Sequence, residues 1–405
     1  TSLTVRDGTV EELKSFKPNM TLSELVSFGY TLVDGLLSCK ERAEELDNLR
    51  VYDVIKSEKG RQWIRLLSHV AGESPEVMPM YKLLRFLEVD VKSLLGENKT
   101  KQSHALQGPY STHFLHPWKQ YLVSKGVVFH LQTKIQRFQP LKNGYRVFIQ
   151  KAYDKPSYVD VDTICLALDI DALNQVLQQS HLDTYFALAD KTYSEQLGLQ
   201  LGFQERLVLP HQDPSFYALD SDWQLVIEPQ EQNFKDVFLG NRVQSLWSVT
   251  IPDIHLVSLR LNKSVKECTS DEILEEVQYQ IKEQLHVEGT VVQRHLNDPI
   301  EPYFWNSAHT LSLRPPLTLA PQVYVTSAIA KNDYYMTYKE GACESALQAV
   351  EHMMGKTLIP RNRRVNLLSW VYSLDSFLYH QRMPSVLNTC LWSLLIYVLV
   401  KLLKR

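Results

Sequence analysis

The chain has 405 residues, 22% of them charged and 44% apolar, with a formal net charge of −3. These values exclude wholesale disorder and offer nucleic acid no concentrated basic face, so no nucleic-acid partner is expected. The length is ample for two or three structural units with large cores.

Residues 1–103 predict a helical cap region. Thr21-Leu22-Ser23-Glu24-Leu25 has the form of a capped helix start, followed by apolar positions at Leu25, Tyr30, Leu32, Val33, Leu36 and Leu37. A second helix is expected from Gly60 to His69 and a third from Met78 to Leu95, with a polar loop from Gly96 to Ser103.

Over 104–175 the pattern turns mixed. His116 to Leu122 predicts a short helix and Gly126 to Leu131 a buried strand. Ile135–Gln139 and Tyr145–Lys151 flank Asn143-Gly144, a strong hairpin signal, and Asp162 to Leu168 predicts a fully buried strand. Residues 176–310 alternate helices and strands, with strand candidates at Leu207–Leu209, Gln224–Ile227 and Trp247–Ile251. The clearest amphipathic helix runs from Asp271 to Leu285, entered at Thr269-Ser270, with Glu275, Glu276 and Glu283 expected on its solvated face. The fold class that follows is α/β, mixed α+β.

Residues 311–356 hold the most informative segment. A strand, Val323-Tyr324-Val325-Thr326, leads through Lys331-Asn332-Asp333 to Glu340-Gly341-Ala342 and an alanine-spaced helix. Gly341 and Ala342 allow close backbone approach, and amides at a helix start stabilise negative charge. The tail, 357–405, has no charge from Val386 to Val400 and closes on Lys401, Lys404 and Arg405. A membrane-anchor helix over 386–403, transmembrane or membrane-proximal, is expected, with Trp392 and Tyr397 among its apolar residues and Arg361, Arg363 and Arg364 as a solvated or headgroup-facing cluster upstream. A buried C-terminal helix is the other reading of the tail.

Cys39, Cys165, Cys268, Cys343 and Cys390 form no CxxC or Cys/His cluster and are expected to be buried free thiols. The thirteen histidines include no HxH or HExxH, and His113 and His116 read as structural, so no metal site is expected.

In order, these segments resemble the flavin-dependent amine oxidoreductases, in particular the phytoene desaturase-like branch, from about residue 20 to residue 355. The resemblance is carried by Gly108-Pro109-Tyr110-Ser111, Pro117 to Leu122, Gly126-Val127-Val128-Phe129, and the strand Asp162 to Leu168, with Asp169 where the family has proline. In the closing segment Lys331, Asp333, Glu340, Gly341, Ala342, Glu344, Ser345 and Ala349 follow the family's spacing. There are two departures. The family opens on Gly-x-Gly-x-x-Gly, whereas these 405 residues contain no two glycines one residue apart, and Ser327-Ala328 stands where the family has Gly-Asp.

The resemblance implies a degenerate FAD-dependent amine-oxidase-like fold: helical cap, residual cofactor-domain strands and a mixed substrate-type sheet. Glu340, Gly341 and Ala342 are the implied cofactor-binding residues, with Ala328 in place of the acid, and Trp305 and Tyr334 are the aromatic candidates beside a substrate, core packing being their other reading. No cofactor is expected; if the site survives, the cofactor is FAD. The resulting reading is a non-catalytic, membrane-anchored scaffold whose bulk faces the cytosol, with protein partners in a large or viral assembly. The alternative is an active flavin-dependent oxidoreductase or desaturase acting on an apolar or amine substrate, its phosphate loop supplied by another chain.

Overall fold

The structure, a computed structural model, describes residues 2–6, 9–12, 20–70, 74, 76–85, 88, 106–152, 154–188, 193–209, 216–231, 242–297, 302–304, 307–332, 339–358 and 365–403. The cap opens with α1 (Leu22–Leu37), started by a reciprocal capping box between Thr21 and Glu24. Glu24 also accepts the amides of Lys56, at 2.7 Å, and Ser57, binding α1 to the turn before α2 (Glu58–Val70). Phe28, Val51, Ile55, Ile64, Met78 and Met80 close the small core between them. Gly35 of α1 faces the side chain of Leu84 in the helical turn at 80–85, and Leu84 would have to shift to admit a Cβ there.

The largest sheet joins β1 (Ser2–Arg6) and β2 (Thr9–Glu12) to five later strands: β7 (Leu197–Phe203), β8 (Phe216–Leu219), β9 (Val226–Pro229), β10 (Ser245–Ile251) and β11 (Val291–Leu296). Their order is β11-β7-β10-β9-β8-β1-β2, antiparallel except where β1 runs parallel to β8. Along β10 burial alternates, with Ser245, Trp247, Val249 and Ile251 inward. That face is covered by Ile273, Val277, Ile281 and Leu285 of α5 (Ser270–Leu285), whose start is capped by Thr269 and Glu272.

Two smaller sheets carry the candidate site. The strands β3 (Thr133–Pro140), β4 (Tyr145–Lys151) and β5 (Ser157–Val161) form an antiparallel meander, with Gly144 at φ +85° in the expected turn. The other sheet holds β6 (Ile164–Leu166), β12 (Thr318–Ala320) and β13 (Val323–Val325), with β13 parallel to β6 and antiparallel to β12. Its strands pack on α4 (Ile170–Gln179) through Ile164, Leu166, Leu173, Leu177, Val323 and Val325.

Several expectations are corrected. Gly126 to Leu131 forms no strand: it follows α3 (His116–Ser124) as an exposed run between positive-φ residues Gly126 and Gln132, with no described strand alongside to satisfy a ladder. Leu207–Leu209 is likewise not a strand. Cys39 alone of the five thiols is buried, Cys268 is half-buried, and the other three are exposed. Glu276 is fully buried rather than solvated, because Ser258, Arg260 and Gln280 all reach its carboxylate.

The tail forms α7 (Ser369–His380) and α8 (Val386–Leu403). Among the described residues no helix is long and apolar enough to cross a membrane. The 18 residues of α8 rise only about 27 Å, short of a hydrocarbon core of about 30 Å, so the spanning anchor is not borne out. The expected loop from Gly96 to Ser103 and the cluster Arg361, Arg363 and Arg364 lie outside the described residues.

Candidate functional site

The closing segment is built on β13, whose Val323, Tyr324 and Val325 are all buried beside β6. The parallel ladder runs one residue further, the Thr326 amide donating to the Leu166 carbonyl at 2.9 Å. The chain then turns through Ser327 to Ala330, closed by the Ala330 amide on the Ser327 carbonyl. Next, the Lys331 amide donates to the Pro315 carbonyl at 2.7 Å, and the Lys331 ammonium meets Glu44 of the cap at 3.3 Å.

Beyond it, α6 (Lys339–Met354) buries Gly341, Glu344, Ser345 and Ala349 toward this sheet. Three side chains fix its position. Asn332 Nδ2 donates to the Gly341 carbonyl at 3.1 Å, Ser345 Oγ lies 3.0 Å from the Ser327 carbonyl, and the Tyr324 ring meets His352 edge-on. Glu340 is exposed, Gly341 buried and Ala342 half-buried, so the three predicted residues share the first turn of α6. The Lys339 ammonium sits 4.2 Å from the Tyr110 ring, placing the Tyr110–Phe114 stack beside that turn. Trp305 and Tyr334 lie outside the described residues, as does Asp333.

A cluster of buried charges borders the segment, and the sequence reading missed it. Arg314 is buried and donates from Nη1 to the Ala328 carbonyl at 3.1 Å. Near it lies Lys82, only 1% exposed, whose ammonium is pushed well below the usual lysine range by burial first and by Arg314 second. Burial pushes the Asp47 carboxyl up, although the Leu311 amide, 2.9 Å away, and the Arg314 charge pull the other way. The signal for Lys82 was a single cation inside the otherwise apolar run from Met78 to Leu84.

Among the described residues, the closing segment fits one wall of a flavin site. The first-turn amides of α6 lack intrahelical acceptors and suit negative charge. Position 328, by contrast, offers no carboxylate, and its carbonyl is taken up by Arg314. The Ser327 hydroxyl is buried without a hydrogen-bond partner among the described residues. The same residues contain no group of three His, Cys, Asp or Glu placed to hold a metal ion.

A helical cap, a large mixed sheet and a parallel strand running into a closing helix together make the fold of the FAD-dependent amine oxidases. Cyclohexylamine oxidase from Brevibacterium oxydans IH-35A superposes with a TM-score of 0.55 at 13% identity, over 87% of this chain and 81% of that one. A triple mutant of putrescine oxidase gives 0.59 at 9% identity over 88% and 81%. A putative protoporphyrinogen oxidase from Exiguobacterium sp. 255-15 gives 0.54 at 11% over 88% and 80%. No protein-family model and no curated protein sequence matches the chain. Identities this low establish the shared fold alone.

Proposed function

We propose that the chain is a non-catalytic protein built on the amine-oxidase fold, descended from the phytoene desaturase-like branch and serving as a scaffold for protein partners. The observation that carries this reading is the state of the closing segment. Where the family places an acid toward its cofactor, the chain has Ala328, whose carbonyl binds Arg314, while Ser345 and Asn332 hold the Ser327 and Gly341 carbonyls. Its Ser327, Ala328 and Gly341 carbonyls are all taken up by internal bonds. An ultraviolet–visible spectrum of the native chain tests it: no flavin bands are expected, and a stoichiometric flavin spectrum would overturn it.

A second reading is favoured by Lys82. A buried lysine with lowered proton affinity near Arg314, which itself holds the Ala328 carbonyl, suits proton transfer in an oxidoreductase acting on an apolar or amine substrate. Under that reading another chain supplies the phosphate loop, and FAD binding appears only in the assembled complex.

A further inference from the structure

The C-terminal helices carry an apolar surface that the described body leaves uncovered. Helix α7 is two-sided: Val371, Asp375 and Leu378 are buried, while Trp370, Leu374 and Phe377 form an exposed stripe at helical spacing. Helix α8 is held at its start, where the Val386 amide donates to Asp375 at 2.8 Å, Ser385 Oγ to Asp34 and Tyr30 to Asn388. From Leu391 to Val400 its large apolar residues are exposed on every side of the helix. Apolar surface on that scale marks an interaction site, and a helix without a polar face belongs in an apolar phase.

Charge decides the occupant. Between Asn366 and Arg405 the only acid is Asp375, and it is buried. Arg382 and Lys401 are exposed, and Lys404 and Arg405 follow in the sequence. A second copy of the chain would bring like charges together, whereas an anionic lipid surface complements both the cations and the apolar face.

We propose that α7 and α8 form a monotopic lipid-binding element that seats on an anionic bilayer surface. Helix α8 enters one leaflet without crossing it, and Trp370 and Phe377 sit at the headgroup boundary. The inference does not depend on how the closing segment is read.

Flotation of the full chain with vesicles tests it, comparing phosphatidylcholine alone with phosphatidylcholine plus phosphatidylserine. The chain is expected to float with the mixed vesicles and to release at high salt. Arg382→Gln and Lys401→Gln should each weaken binding about fivefold, the effect of roughly 1 kcal/mol per cation. Trp370→Glu/Phe377→Glu should abolish flotation with an unchanged melting temperature, because both side chains are exposed. A C-terminal tag should stay open to protease on the side of the vesicle that carries the body. Failure to float with mixed vesicles, flotation that survives the double substitution, or a protected tag would each overturn the proposal.

Discussion

Arg42 Nε and Asp375 Oδ2 meet at 3.0 Å in an almost completely buried ion pair that joins the cap to the tail. The pair is fully engaged. Asp375 also accepts the Cys39 amide at 2.7 Å and the Val386 amide at 2.8 Å, while Arg42 Nη2 donates to the Met383 carbonyl at 2.7 Å. Removing Asp375 takes from Arg42 its buried counter-ion, leaving only the exposed Glu45 at 3.2 Å, and strands the Cys39 and Val386 amides, which costs about 3–5 kcal/mol. Asp375→Ala should therefore lower unfolding stability by about that amount in urea titrations. The double variant Arg42→Met/Asp375→Leu should recover part of the loss, since it leaves no lone charge.

Cys39 lies beside this pair, and burial, reinforced by Asp375, pushes its thiol up to about 12. Thiolates, not thiols, react with disulfide reagents. In the native chain Cys343 and Cys390, both exposed, should be modified quickly. Cys39 should react only after unfolding, which mass spectrometry of the labelled chain would show.

Glu24 supplies a pH dependence of definite sign. Backbone amides, chiefly that of Ser57 and then that of Thr21, lower its carboxyl to about 2 from an ordinary 4.5. A carboxyl lowered on folding adds stability above its unfolded value, and the gain fades as pH falls toward the folded one. Glu24→Gln should lower the melting temperature near neutral pH. The gap from the parent chain should close on acidification from about 4.5 to about 2.

Glu276 is the core counterpart of these surface and joint carboxylates. It is fully buried, with Ser258 Oγ and Gln280 Nε2 donating at 2.8 Å each and Arg260 at 2.5 Å. Glu276→Ala would strand the buried Ser258 and Gln280 donors and free the partly exposed Arg260, and calorimetry should register a loss of about 2–4 kcal/mol.

Legibility in the sequence followed the range of the forces involved. Local chemistry was readable: the Thr21 and Thr269 caps, the turn at Gly144 and the strand Val323–Val325 all stand where expected. Asp169, a departure from the family pattern, caps α4 by accepting the Ala172 amide at 2.7 Å. What failed depended on distant partners. Glu276 looks like any solvated helix carboxylate until the loop bearing Ser258 and Arg260 folds over it, and Gly126 to Leu131 has strand composition with no described strand to pair with. The first turn of α6 was legible as a candidate site. Its neighbours Arg314 and Lys82 were not, because more than two hundred residues of chain separate them.

The central proposal is that the chain keeps the amine-oxidase fold and serves as a non-catalytic protein that carries no bound FAD. A titration of the purified full chain with FAD, followed by calorimetry and by flavin fluorescence, measures this most directly. The account predicts no flavin bands in the starting protein and no saturable binding at micromolar FAD. A one-to-one complex that resists gel filtration would contradict it.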